Sequence, residues 1–334
     1  MNWLKHYRYL LLAVATALVL PLTVKSASLA TEVLIFSMAA LGCNLLLGYT
    51  GLMSFGQGIF LGLGSYAAGL TLLHLQAPTL AALAVAVVVG ALAALLVGWF
   101  AIRQRGVYFV MLTLAFAQMF YFLAYTLKDW TGGDNGLLNI PRPPVTLFGA
   151  TLLPTASPWQ FYVLVAILFV LSFGILQRVV DSVLGRTLLA IRDNEERAAA
   201  IGYDVKAFKL IAFMLSGAVT GLAGGLYALM TGIAPLSSIE YHASESILIM
   251  TVIGGTGNLF ASVLGAAFYV LAGDWLSALW PRWLMLLGFL LIAITLYMQR
   301  GIWGVLMQLA QRLTGARKAP AEAAAPFAAG EEQR

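Results

Sequence analysis

Long apolar segments recur from one end of the chain to the other, separated by short polar breaks. Clear segments cover 9–24, 29–47, 52–73, 79–101, 107–127, 158–176, 210–230 and 283–298. A further one, 246–272, is cut in its middle by Gly254, Gly255, Thr256, Gly257 and Asn258. Apolar runs of about 20 residues are long enough to cross the hydrocarbon core of a bilayer as helices. The pattern predicts an all-α polytopic membrane protein with about 8–10 transmembrane helices. The first run follows Lys5 and Arg8 as a signal peptide would, but no small-x-small cleavage pattern clearly follows before Lys25. It is read as a retained first helix with its N-terminus inside.

Charge sharpens the picture. From Val33 to Ile102 the chain has no charged side chain, whereas 177–209 holds eleven. Counting crossings from an inside N-terminus places 128–157 outside and 177–209 inside. Of the 19 Lys and Arg, only Lys25, Lys128, Arg142 and Arg282 then lie outside, the asymmetry that translocation bias produces. The basic tail also belongs inside, so 246–272 must enter and leave on one face. At about 1.5 Å per residue it is too short for two crossings. A broken or re-entrant hairpin turning at Gly254–Asn258 is expected, and such backbone survives at membrane depth only inside protein or beside a wet cavity. Residues 1–300 thus read as one transmembrane domain with a cytosolic connector at 177–209. Residues 301–334 read as a cytosolic tail, largely disordered because it ends in Ala, Pro and Glu.

Composition agrees. The chain is 61% hydrophobic and 10% charged, where soluble domains carry roughly 25% charged residues. Its net charge of +5 is accounted for by basic residues flanking spans, so nucleic acid is not expected as a partner. A single cysteine, Cys43, excludes an internal disulfide and a cysteine-ligated zinc; it reads as a small packed residue.

Enzyme chemistry finds no foothold. His6, His74 and His242 lie far apart with no H-E-x-x-H pair, no G-x-S-x-G elbow is present, and none of the lysines completes a P-loop. No catalytic residue, metal ligand or cofactor is expected in this chain. No ionisable residue sits near the middle of a span, which counts against a proton- or sodium-coupled carrier.

Two groups of residues invite a functional reading. Gly48, Gly51, Gly56, Gly58, Gly62, Gly64 and Gly69 surround Ser54 and Gln57. Such glycines serve either close helix packing or an irregular segment beside an aqueous path faced by Ser54 and Gln57. Thr256 and Asn258 in the broken hairpin are candidates for the same path. Asn44, Thr113, Gln118, Ser216 and Thr251 also lie within spans; Asn44 and Gln118 either bond a neighbouring helix or line the path. The second group is the connector's core, RDNEERAAAIG, from Arg192 to Gly202. It predicts a short helix with Asp193 as cap, Glu196 completing a capping box, Glu195 in the first turn and Gly202 as the stop. A helix this short is marginal alone and expects a docking surface.

Several ordered stretches now carry a resemblance: NLLLGYTGLMSFGQGIFLGLGSYAAGL from Asn44, RGVYFVMLTLAFAQM from Arg105, TGGDNGL from Thr131, GRTLLAIRDNEERAAAIGYDVKAFKLIAFMLSGAVTGLAGGLYA from Gly185, and IGGTGNLFASVLGA from Ile253. Together they resemble the permease subunits of bacterial branched-chain amino acid ABC importers, and most of all the M-type subunit. The resemblance runs from about Leu29 to Arg300. It implies a multi-pass protein of the bacterial inner membrane that pairs with a second permease subunit. Below it would sit two cytosolic ATPase subunits, which bind ATP and Mg, and above it a periplasmic substrate-binding protein.

In the family a Glu and a Gly six residues apart recur in the loop that docks on the ATPase. Glu196 and Gly202 match them, with Arg192, Asp193, Asn194, Glu195 and Arg197 alongside; Arg197 stands where Ala is common. The external turn Thr131, Gly132, Gly133, Asp134 and Asn135, stiffened by Pro141, Pro143 and Pro144, is expected to meet the binding protein. Leucine, isoleucine and valine lead as substrates. Urea, short amides and aromatic acids, which relatives carry, remain open, as does a stand-alone channel.

Overall fold

The structure is a computed structural model. It describes residues 3–24, 26–147, 150–155, 157–297 and 301–313. The helices are α1 (Trp3–Thr23), α2 (Ala27–Thr50), α3 (Gln57–His74), α4 (Thr79–Ala101), α5 (Val107–Thr126) and the single turn α6 (Lys128–Thr131). An antiparallel hairpin of β1 (Val145–Leu147) and β2 (Ala150–Leu153) follows, pairing Val145 with Leu153 and Leu147 with Ala150. Then come α7 (Pro158–Asp181), α8 (Val183–Asp193), α9 (Glu195–Ala200), α10 (Val205–Thr231), α11 (Tyr241–Gly254), α12 (Leu259–Leu279), α13 (Trp283–Tyr297) and α14 (Gly301–Leu313).

By length and apolarity, six of these helices can cross a membrane: α2, α4, α5, α7, α10 and α12. Shorter apolar helices, Tyr9–Thr23 and Trp283–Ile292, stand beside them. The chain is therefore a multi-pass all-α membrane protein, and the one β-hairpin among the described residues lies in a connection.

α10 is the hub and packs against α4, α3 and α2. Between helices in lipid there is no hydrophobic drive, so close van der Waals contact and hydrogen bonds must hold them. Glycine provides the approach. A Cβ on Gly64 of α3 would sit 2.2 Å from the Gly221 carbonyl oxygen of α10, and one on Gly90 of α4 would sit 2.4 Å from that of Gly217. Ser65 Oγ then donates across the α3–α10 seam to the Gly224 carbonyl at 2.7 Å. The glycines beyond Gly58 are thus packing residues, whereas Gly51–Gly56 is irregular backbone between α2 and α3. The expected span at 52–73 accordingly starts later, at Gln57.

The broken hairpin forms with longer legs than expected. α11 has 14 residues and α12 has 21, about 21 and 31 Å of helix. The apolar pattern missed the polar start of α11, Tyr241 to Glu245. The turn, Gly255–Asn258, lies against the C-terminal end of α2: a Cβ on Gly48 would sit 2.7 Å from the Gly257 nitrogen.

The segment assigned to the tail is helical over Gly301–Leu313. Trp303 packs its ring 5.3 Å from Phe260 and 6.2 Å from Tyr9. Apolar residues such as Ile302 and Trp303 give this stretch a face to bury, which the Ala- and Pro-rich far end lacks. The rest of the tail, 314–334, lies outside the described residues, as do Lys25 and Arg300.

Candidate functional site: the connector helices and the hairpin turn

The connector is built from two helices rather than one. α8 continues to Asp193, so the expected cap at Asp193 is displaced by one residue. Asn194, extended at φ −159° and ψ 103°, is the N-cap of α9, and its Oδ1 accepts the Arg197 N–H at 2.8 Å. Amphipathic spacing explains the extra helix, since Thr187, Leu188 and Ile191 bury one side of α8. Gly202 ends α9 at φ +95°, as its place in the sequence predicts. Its N–H donates to the Ala199 carbonyl and that of Tyr203 to the Ala198 carbonyl, closing the helix end.

One face of α9 is tied inward. Lys209, buried on α10, donates to Glu195 at 2.8 Å. Arg105, from the α4–α5 connection, lies 3.5 Å from Glu195 and 3.6 Å from Glu196. Glu196, Arg197, Ile201 and Tyr203 are exposed on the other side, Ile201 to 70%. An apolar side chain that open, next to charged neighbours on a connector, suits a protein contact.

Arg192 is exposed as well, but its guanidinium has a partner in the bundle. At the last turn of α8 its Nη1 donates to the Gly48 carbonyl at the end of α2. The same guanidinium lies 3.6 Å from where a Cβ on Gly257 would be. Asn44, one turn earlier on α2, grips the hairpin turn twice: its Nδ2 donates to the Asn258 carbonyl at 2.7 Å and its Oδ1 accepts the Gly257 N–H at 3.2 Å. Asn258 in turn caps α12 through Phe260 N–H at 2.9 Å. Connector, α2 and hairpin turn therefore form one hydrogen-bonded chain.

The remaining path candidates separate into two environments. Gln57 is fully buried: Thr220 Oγ1 donates to its Oε1 at 2.9 Å, and its Nε2 donates to Ser216 Oγ at 3.0 Å. Ser216 Oγ passes on to the Gly42 carbonyl at 2.7 Å, joining α3, α10 and α2. Ser54 is buried and accepts the Gly56 N–H at 3.1 Å, which shapes the 51–56 loop. Thr256 is exposed at the hairpin turn, and Gln118 is exposed on α5. Thr220 and Ser244, which bonds Gly58 N–H at 2.7 Å, were not singled out in the sequence. The four-residue spacing of Ser216 and Thr220 beside Gly217 and Gly221 was the available signal.

At the opposite end of the bundle, Thr131 is buried and Asp134 and Asn135 are exposed. The turn uses left-handed backbone at Gly132 and Gly133, with Thr131 Oγ1 accepting the Gly133 N–H at 3.2 Å. Leu137 pairs with Ala234, so this loop is stitched to the end of α10. Arg142 Nε donates to the Leu229 carbonyl, and partial burial lowers its pKa from the usual guanidinium value. A cavity of about 440 Å³ opens at this end, with Glu32, Tyr227, Glu240, Tyr269 and Asp274 in its wall.

The profile of the family described as branched-chain amino acid transport system / permease component matches residues 26–296. The chain is 28% identical over 316 residues to the high-affinity branched-chain amino acid transport system permease protein LivM of Salmonella typhimurium, covering 89% of this chain and 74% of that one. The Escherichia coli K12 protein of the same name is 28% identical over 318 residues, with the same coverage. A shorter stretch of 121 residues, 34% of this chain and 36% of the relative, is 30% identical to the autoinducer 2 import system permease protein LsrC of Photorhabdus laumondii. No solved structure matches the chain. With the family profile matching 26–296, well over half of its residues, the chain belongs to the family of branched-chain amino acid transport system permease components.

Proposed function

We propose that this chain is the membrane permease subunit of an ABC importer that moves leucine, isoleucine and valine into the cytoplasm, with ATP and Mg bound by two partner ATPases and not by this chain. The family and the LivM relatives support the substrate class. In this reading the protein sits in the bacterial inner membrane beside a second permease subunit. The connector end and both termini face the cytoplasm, and a periplasmic binding protein delivers substrate at the end bearing Thr131, Gly132, Gly133, Asp134 and Asn135.

The observation that carries the mechanism is the hydrogen-bonded chain from Arg192 to Gly48 and from Asn44 to the 257–258 turn. An ATPase seated on Glu196, Arg197 and Ile201 would move α8 and α9 together, because Asn194 links them and Glu195 anchors α9 to Lys209. Asp193 and Gly202 set the two ends of this contact. Motion then reaches α2 and the hairpin through Arg192. Asn44, Thr256 and Asn258 form the gate region, and Ser54 and Gln57 border the path where α2, α3 and α10 part. Gln118, exposed on α5, faces the path from the seam with the second permease. No charge is needed along it, since weak polar neighbours suffice for a zwitterion that must be released.

The test is uptake of radiolabelled leucine by proteoliposomes holding the four-subunit complex, with binding protein outside and ATP inside. ATP-dependent uptake competed by isoleucine and valine, and not by urea, acetamide or benzoate, is expected. Leucine flux that is independent of ATP would overturn the proposal in favour of a channel.

A further inference from the structure

Where the end of α4 meets the start of α10, beside the connector, lies a groove of about 340 Å³. Its floor is apolar, made by Gly98, Trp99 and Ile102 of α4 with Leu210 of α10, and Arg103 and Lys206 stand at its rim. Both cations are exposed. Asp204 also reaches the groove, but its Oδ1 accepts the Ala207 N–H at 3.2 Å as the cap of α10, and the rim keeps a net positive charge. The Arg103 guanidinium lies 5.6 Å from the centre of the Trp99 ring, which holds it over the groove. Leading away from the rim, Leu92, Leu96 and Trp99 form an open apolar row on α4, exposed to 55%, 46% and 56%.

We propose that this groove binds one anionic phospholipid, its phosphate between Arg103 and Lys206 and one acyl chain along Trp99, Leu96 and Leu92. The place is where an apolar helix face gives way to a charged connector, which is the depth of lipid phosphates, and tryptophan favours that depth. Basic pockets between transmembrane helices take anionic headgroups, and a guanidinium fork matches phosphate oxygens. The two-part chemistry, a cationic rim continuous with an apolar row about 10 Å long, calls for an amphiphile rather than a soluble phosphate. Anionic lipid occurs in both leaflets, so the inference does not depend on which way the protein is inserted. Bound there, the lipid braces α4 against α10 beside the connection whose Arg105 pairs with Glu195.

Native mass spectrometry of the assembled complex, released from nanodiscs of phosphatidylglycerol or phosphatidylcholine, tests this. One tightly retained phosphatidylglycerol is expected, and Arg103→Gln with Lys206→Gln should weaken its retention about thirtyfold, since each surface cation contributes roughly a factor of five. Phosphatidylcholine retention should not change, Arg103→Lys should stay within about threefold, and millimolar inorganic phosphate should not displace the lipid. If the double variant does not assemble, Lys206→Gln alone should still weaken retention about fivefold. Equal retention of both lipids, no loss in the variants, or displacement by phosphate would overturn the site. So would a photo-crosslinker at position 207, also in the groove lining, that captures an ATPase subunit instead of lipid.

Discussion

The two ends of the bundle handle polar groups differently. At the connector end, side-chain hydrogen bonds run between elements far apart in sequence, Arg192 to Gly48 and Asn44 to Gly257 and Asn258, and between the consecutive helices α9 and α10 through Lys209 and Glu195. At the opposite end, the side-chain bonds of the 131–136 turn stay close in sequence, with Thr131 Oγ1 donating to the Ala124 and Leu127 carbonyls around the end of α5 and accepting from Gly133. The Leu137–Ala234 bridge, the Ile140 N–H to the Gly232 carbonyl and Arg142 Nε to the Leu229 carbonyl tie the segment that follows to α10 and its end. On the proposed function, a displaced connector would drag α2 and the hairpin with it, whereas the exposed Asp134 and Asn135 would be met at the surface. That reading gives one end the task of transmission and the other that of recognition.

The strongest break of this contrast is at the hairpin itself. A Cβ on Gly254 would sit 2.0 Å from the Ala261 carbonyl oxygen, backbone that cannot step aside. Gly254→Leu should cost more than about 3 kcal/mol, seen as loss of monodisperse protein in detergent; a variant that purifies and transports normally would remove the close hairpin from the account. Next comes Asn44→Leu, which keeps the volume but leaves the Gly257 N–H and the Asn258 carbonyl without this partner. A loss of about 2–3 kcal/mol is expected in thermal unfolding of the purified complex.

Glu195→Gln sharpens the comparison at lower cost. It weakens the pairing of buried Lys209, but Glu195 is itself a quarter exposed, so screening limits the loss to about 1 kcal/mol. The readout is the melting temperature, and salt should shrink the difference between variant and wild type. The smallest effect belongs to the opposite end. Asn135→Cys should leave stability within about 0.5 kcal/mol, yet crosslink to loaded binding protein. No crosslink in an active complex would deny that end its recognition role.

Much of the arrangement could be read from residue order alone, and the exceptions have physical causes. The break at 254–258 and the glycine stop at Gly202 follow from rules local to a few residues. The second connector helix was hidden because α8 is half-buried and carries mixed charge, so it has neither a span's apolarity nor a loop's polarity. Gln57 shows the harder limit. Its neighbours Ser216 and Thr220 lie on α10, and no spacing within 50–70 can show that an amide there has found partners across two helices. Arg192 is a similar case: its place beside acidic residues gives no sign that, while exposed, it also bonds the Gly48 carbonyl at the end of α2.

The bond from Arg192 to Gly48 is the link on which transmission depends most. In proteoliposomes carrying the full complex and the binding protein, leucine imported per ATP hydrolysed should fall about tenfold in Arg192→Ala, the loss of one charge-assisted hydrogen bond. The ATPase should remain assembled and active, because the outward face of α9 is untouched. An unchanged ratio, with the variant shown to be inserted and assembled, would contradict the account.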